Sequence, residues 1–281
     1  MRILIDEAGD IPPELAKQYN IATLPINIMF GTTEYLSGVN IDHASFYEMT
    51  QKVDDSNFPK TSQPTPYQFA ERYRQIIAEG DSEILTIVVS EKLSGTYASA
   101  IQAAKELEGQ GTFHVFNSKA GSAVQGYMAI EAAKMIEAGV GIEGIMAKLE
   151  KMRDETVVIL TIDSLEYAVR GGRVSSLKSV MASLLNLKPI LRLEDGVFAE
   201  AGRVRTRQKA LSRIVEMVHQ QIGDRPARIA ILHANAQEHA QKLRQMSEAL
   251  FNQTELFISD LSIAVAVNLG PGALGLVAIP E

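Results

Sequence analysis

The 281-residue chain has no cysteine and no tryptophan, and aromatic residues make up only 6% of it. Without cysteine there can be no disulfide, no thiolate nucleophile and no thiolate metal site, and such a chain suits a reducing compartment. Histidine is sparse. His43, His114, His219, His233 and His239 make neither an HExxH pair nor a histidine–carboxylate cluster with metal-ligand spacing, so no metal and no cofactor is expected. There is no P-loop, which leaves phosphate-donor chemistry out of this chain, and neither Ser94 nor Ser122 stands in a G-x-S-x-G nucleophile elbow. No apolar run approaches the roughly 18 residues of a membrane span. The opening MRILIDEAGD reaches an acidic residue too soon for a signal peptide. The expectation is a cytoplasmic protein with no integral membrane segment.

What is present is ordinary for a folded chain: 46% hydrophobic and 22% charged residues, with a formal net charge of −7. That length suggests about two domains and a sizeable core. Charge is uneven. Up to Glu155 there are 13 Lys/Arg against 22 Asp/Glu, and from Thr156 onward 14 against 12. Arg203, Arg205, Arg207, Lys209 and Arg213 follow one another with no acid between Ala201 and Val215. A local basic patch on an acidic chain is not the footprint of a general nucleic-acid binder, so no nucleic-acid partner is expected. It suits docking of a partner protein steered by charge.

The first half alternates apolar runs with helical patterns. RILI reads as a strand, IPPELAKQY as a helix with Asp10 as its cap, ILTIVVS as a buried strand and FHVFNS as another strand, each leading into a helix. The second half reads as a strand VVILTI and a hairpin around Asp195-Gly196. Two further strands follow, ARIAILHA and ELFISD, with helices from about Arg207 to Gln221 and from Gln237 to Leu250. The fold class is α/β with two α/β domains: an N-terminal one over residues 1–155 with a mostly parallel sheet flanked by helices, and a C-terminal one over residues 156–281 with a mixed sheet and helices. Ligands of parallel sheets lie beyond the carboxyl ends of the strands, where Ser90–Tyr97 falls.

Four stretches carry chemistry. PKTSQPTP sets Thr61 and Ser62 between prolines that stiffen the backbone. Thr65-Pro66-Tyr67-Gln68 is a capping box, so Thr65 starts a helix while Thr61 and Ser62 stay free to face a ligand. In KLSGTYASA, Ser94 is either a helix cap or, with the amides of Gly95 and Thr96, an anion site, and the two roles can coexist. RGGRV turns tightly between Arg170 and Arg173, whose guanidiniums either suit a carboxylate or phosphate or are simply solvated. Gly270 opens GPGALG, which matches G-x-G-x-x-G; only six residues follow Gly275, so no dinucleotide-binding helix fits and the glycines instead permit close backbone approach. His233 ends a strand and reads as a satisfied structural histidine.

Taken in order, ILIDEAGDIP, LPINI, EYLSGVNID, PKTSQPTP, LSGTYASA, RGGRVS, LNLKPIL with EDG, and GPGALGL resemble the DegV family of bacterial fatty-acid-binding proteins over nearly the whole chain. The resemblance implies two α/β domains, a long-chain fatty acid in a tunnel, and its carboxylate held between the domains by Thr61 and Ser94. It also implies a carrier rather than an enzyme. Some members present the bound acid to a separate fatty-acid kinase of the dihydroxyacetone-kinase type for phospholipid synthesis, which implies Arg170 and Arg173 near the head group or the kinase surface; Arg203, in the basic run, is read from its charge alone as facing a partner. Two positions depart from the family pattern. Ile5-Asp6-Glu7 stands for T-D-S, and Asn268 replaces a histidine of the carboxylate network, so it can donate a hydrogen bond but carry no charge. The competing readings are a regulatory or partner-docking protein using Arg203–Arg213, and a hydrolase with Ser94 or Thr61 as nucleophile, for which no base is apparent.

Overall fold

A computed structural model describes residues 1–174 and 187–281 of the chain. Ser175 of RGGRVS and Leu185-Asn186 of LNLKPIL lie outside the described residues. The first half runs β1 (Arg2–Asp6), a short 3-10 turn (Glu7–Gly9), α1 (Pro13–Gln18), β2 (Ile21–Leu24), β3 (Asn27–Phe30), β4 (Thr33–Leu36), α2 (His43–Thr50), β5 (Lys60–Ser62), α3 (Pro66–Ala78), β6 (Glu83–Val88), α4 (Thr96–Glu106), β7 (Thr112–Asn117), α5 (Ser122–Glu137) and α6 (Ile142–Glu155). The second half runs β8 (Val157–Thr161), α7 (Leu165–Gly171), β9 (Lys188–Glu194), β10 (Val197–Val204), α8 (Arg207–Ile222), β11 (Ala227–His233), α9 (Gln237–Glu248), β12 (Gln253–Asp260), α10 (Ile263–Leu269) and β13 (Leu274–Pro280).

The fold is α/β. Strands β2-β1-β6-β7 form an all-parallel sheet, and β10-β9-β8-β13-β11-β12 form a mixed one in which only β11 and β12 run parallel. Parallel strands covered on both faces must be apolar on both, which is why Ile84, Leu85, Ile87 and Val88 of β6 are all fully buried. A third sheet, β4-β3-β5, is small and antiparallel.

Helix α5 explains how the halves join. Every residue from Ala123 to Ile130 is buried, because the helix packs on β1 and also on β13. A helix that is apolar all round has to be enclosed in this way. Tyr127 on α5 donates its hydroxyl to the Ile229 carbonyl of β11 at 3.3 Å, and Glu131 pairs with Arg228 at 2.8 Å. One apolar cluster, holding Ile5, Tyr127, Val267 and Val277, is therefore continuous through both sheets.

Local rules account for some helix starts and not for others. Thr65 makes the full capping box of α3: its backbone N–H donates to Gln68 Oε1 at 2.8 Å, and its Oγ1 accepts from Gln68 N at 3.2 Å. Asp10 does not cap α1, whose N-cap is Pro12. Asp10 has φ +45°, is buried, and turns its carboxylate away to the Ser122 hydroxyl and the Ser262 N–H. A tertiary partner wins over the local one here, because a desolvated carboxylate needs more donors than a helix start alone supplies.

Candidate ligand site between the sheets

The site begins with β5, a three-residue strand on the edge of the small sheet. Thr61 registers with Ile28 and Ser62 with Asn27, whose Nδ2 donates to Ser62 Oγ at 3.3 Å. Across from it, α10 is apolar except at Asn268. That side chain donates to the Ala264 carbonyl of its own helix at 2.9 Å and lies 3.5 Å from Thr61 Oγ1. The third wall is the loop from β6 into α4. Ser94 Oγ is 2.8 Å from Thr96 Oγ1, and the Gly95 N–H donates to Gln63 Oε1 at 3.0 Å. Gly95, not Ser94, takes the N-cap position of α4, and no side chain caps it. Arg173 closes the rim, its Nε donating to the Leu93 carbonyl at 3.1 Å.

Thr61, Ser62, Gln63, Ser94, Arg173 and Asn268 thus line one cavity. A second cavity adjoins it and shares Val89, Leu93, Phe198, Val265 and Leu269. Its lining has one polar side chain, Ser122, whose hydroxyl is turned to Asp10. A mouth with hydroxyl, amide and guanidinium donors next to an apolar cavity suits an amphipath with an anionic head.

The remaining sequence-predicted residues are not all brought here. Thr96 is fully buried beneath Ser94, and a Cβ on Gly95 would collide with the Gln63 amide. Gly270 sits at the end of α10 with φ +80°, where a Cβ would stand 2.8 Å from the Tyr167 ring; it faces that ring and not the cavity lining. Arg170 lies with its guanidinium 4.5 Å from the Phe58 ring centroid and pairs with Asp55 and, at 3.0 Å, Glu166. Arg203 pairs with Glu200 within β10. In the basic run, Arg207 is only 13% exposed and donates to the Gly272 carbonyl at 2.7 Å, while Arg213 pairs with Glu216.

Sequence reasoning passes over Gln63, which lies inside the quoted PKTSQPTP stretch, and Phe198, whose role depends on a hairpin docking on the other half of the chain. Only the flanking prolines and the Asp195-Gly196 turn hint at either.

Acids buried around α10 have distinctive environments. Asp6 accepts from Ala8 N at 3.0 Å, Val89 N at 2.9 Å and Gln125 Nε2 at 3.0 Å; burial still pushes its carboxyl above the usual range. Burial likewise pushes Asp10 up to about 6, opposed by its bonds to Ser122 and Ser262. Glu7 is pushed up to about 7, again mainly by burial, and lines a separate cleft with Gly38, Asn40 and His43 rather than the ligand cavities. His233 is buried, with Nε2 against Gln237; its Nδ1 lies 3.0 Å from Asp260 but makes no hydrogen bond among the described residues, so only one ring nitrogen is satisfied. Among the described residues, no group of three or more metal-ligating side chains could hold a metal, and no helix is long and apolar enough to cross a membrane.

Comparison with known proteins agrees with this layout. The family model of uncharacterised DegV-family proteins matches residues 1–281. Protein DegV of Bacillus subtilis is 32% identical over 276 residues, covering 98% of this chain and 97% of that protein. The structure of a fatty-acid-binding DegV family protein from Thermus thermophilus superposes with TM-score 0.92 at 30% identity, covering all of both chains. That of DegV from Bacillus subtilis, a fatty-acid-binding protein, superposes with TM-score 0.87 at 30% identity, covering 100% of this chain and 99% of that one. From its first residue to its last, this chain belongs to the DegV family.

Proposed function

We propose that this protein binds a long-chain fatty acid. Its carboxylate sits among Thr61, Ser94, Asn268 and Arg173, and its acyl chain fills the adjoining apolar cavity. The observation that carries this reading is the continuity of a donor-lined cavity with an apolar one through Val89, Leu93, Phe198, Val265 and Leu269. Burying some fourteen methylenes at about 0.8 kcal/mol each offers roughly 11 kcal/mol before ordering costs, so the tail can dominate affinity. The head group then needs only satisfied oxygens, since an unpaired buried carboxylate costs several kcal/mol. The fatty-acid binding of the Thermus thermophilus and Bacillus subtilis relatives supports the same ligand class.

The protein acts as a carrier. Ser94 Oγ hydrogen-bonds to Thr96 Oγ1 and accepts from the Thr96 N–H, contacts that support a binding rather than a nucleophilic role. A separate, ATP-dependent fatty-acid kinase supplies the chemistry in this reading, and exposed Ser62 and Gln63 at the rim leave the head group open to it. The partner-facing basic run and the cytoplasmic setting belong to the same reading.

Native mass spectrometry of freshly purified protein, followed by organic extraction, tests the ligand. A co-purifying fatty acid near one per chain is expected. A protein that is empty and takes up no added palmitate overturns the reading. Acyl phosphate that appears only when a fatty-acid kinase and ATP are both added tests the carrier step.

A further inference from the structure

The turn between β9 and β10 is placed unusually for a hairpin tip. Asp195 and Gly196 have φ +46° and +80°, the left-handed pair that a tight hairpin requires. Such tips normally project into water, yet Gly196 is buried. Its carbonyl accepts from Ser90 Oγ at 2.8 Å, and a Cβ at Gly196 would collide with that hydroxyl. Asp195 lies between Lys92 and Lys119, 3.0 Å from the latter. All three partners belong to loops that follow β6 and β7, so the hairpin of one sheet is bolted to the ends of the other. Between these lysines the Asp195 carboxyl is held down at about 2, so the clamp stays charged at any pH near neutrality.

The same hairpin walls the apolar cavity. Leu193 and Phe198 are cross-strand partners flanking the turn, and both line that cavity. Phe198 alone of the pair also lines the donor cavity, so its ring stands where the two meet.

From this we propose that Phe198 is a specificity-determining residue, selecting acyl chains by shape at the junction, and that the Asp195 clamp positions it. The inference rests on the fatty-acid reading above. A ring at the junction limits the width available where the chain leaves the head group, and a single shape change in an apolar pocket is worth roughly one order of magnitude in discrimination. The clamp is an exposed ion pair, worth little to overall stability, so salt weakens it without unfolding the protein.

Binding of palmitate and of 3-methylpalmitate, which is broadened by its branch close to the carboxylate, tests this in the intact protein. Phe198→Ala is expected to shift the palmitate-to-3-methylpalmitate affinity ratio towards the branched acid by about tenfold, with Phe198→Leu intermediate. The ligand dissociation rate of the parent should rise with added salt, and that of Asp195→Asn should start high and respond little. A ratio within about twofold of the parent in both Phe198 variants overturns the proposal, and so does a parent rate indifferent to salt. A parent that binds neither acid sinks the fatty-acid reading itself, and this inference with it.

Discussion

Asp10 and Ser262 stand 252 positions apart and share a 2.8 Å hydrogen bond from the Ser262 N–H to the Asp10 carboxylate. The second carboxylate oxygen takes the Ser122 hydroxyl. One buried acid thus fixes the entry to α10, the helix that carries Asn268, Val265 and Leu269, against the start of α5. His43 Nε2, 2.8 Å from the Leu261 carbonyl, holds the residue just before Ser262 in the same way.

Asp10→Ala should therefore destabilise the fold by about 2–4 kcal/mol, since it orphans the buried Ser262 N–H and the half-buried Ser122 hydroxyl together. Asp10→Asn keeps one acceptor and should lose less. Urea denaturation of both variants checks the order, and an alanine variant as stable as the parent would remove the anchoring role.

Stability should fall as pH rises from about 4 to about 7. Burial raises the folded-state values of Asp10 to about 6 and Glu7 to about 7, above those of the unfolded chain. The folded state then holds more protons across that interval, so each group stabilises fully below its unfolded value and the contribution is gone above its folded one. Asp6 shifts the same way. Asp195 and Asp260 shift downward and act with opposite sign, in more acid solution. Melting temperatures of the parent and of Asp10→Asn/Glu7→Gln, measured from pH 4.5 to 7.5, should show the decline in the parent and a flatter curve in the double variant.

Removing the hydroxyls of both Thr61 and Ser94 by alanine should weaken palmitate binding by about ten- to a hundredfold while leaving unfolding midpoints nearly unchanged, because both sit at a cavity wall and not in the core. Binding as tight as the parent's would remove them from the head-group site.

Asn268→His should make affinity for the acid pH-dependent, tighter near pH 6 than near pH 8, because a protonated imidazole adds a charge beside the carboxylate. The parent should show no such increment from this position. Titrations at the two pH values decide it.

Gly270→Ala should destabilise by roughly 2 kcal/mol or more, combining a left-handed backbone with a methyl group driven into the Tyr167 ring. A thermal melt suffices to check it.

The parts of the fold legible in the sequence are those whose signal is local. Ile84–Val88 announces a buried strand by its β-branched, apolar content, Thr65–Gln68 announces its helix, and Asp195-Gly196 its turn; Phe113–Asn117 reads as a strand too, though at the sheet edge only Phe116 of it is buried. The small sheet is not legible, because NIMF, TEYL and KTS are too short to show alternation and prolines flank the last. Helix α10 hides for another reason: enclosed on all sides, it has no polar face to set a period. Thr61, Ser94 and Asn268 line one cavity, and since Thr61 and Asn268 lie 207 positions apart no local spacing could show it. Arg170 cannot be placed from spacing, because its partners Asp55 and Phe58 lie more than a hundred residues earlier. Asp10 reads as a cap for the same reason, its true partners being distant in the chain.

Strand β13 is buried throughout and lies between β8 and β11, antiparallel to each. Those two strands do not touch each other; they meet only through it. Until residues 274–280 are in place, the larger sheet exists as two separate halves with open edges. The wall of the apolar cavity contributed by Leu274 and Val277 does not yet exist either. Assembly of this half of the molecule therefore depends on pairing residues 274–278 with residues 157–161, a contact of the long sequence separation that slows folding in general.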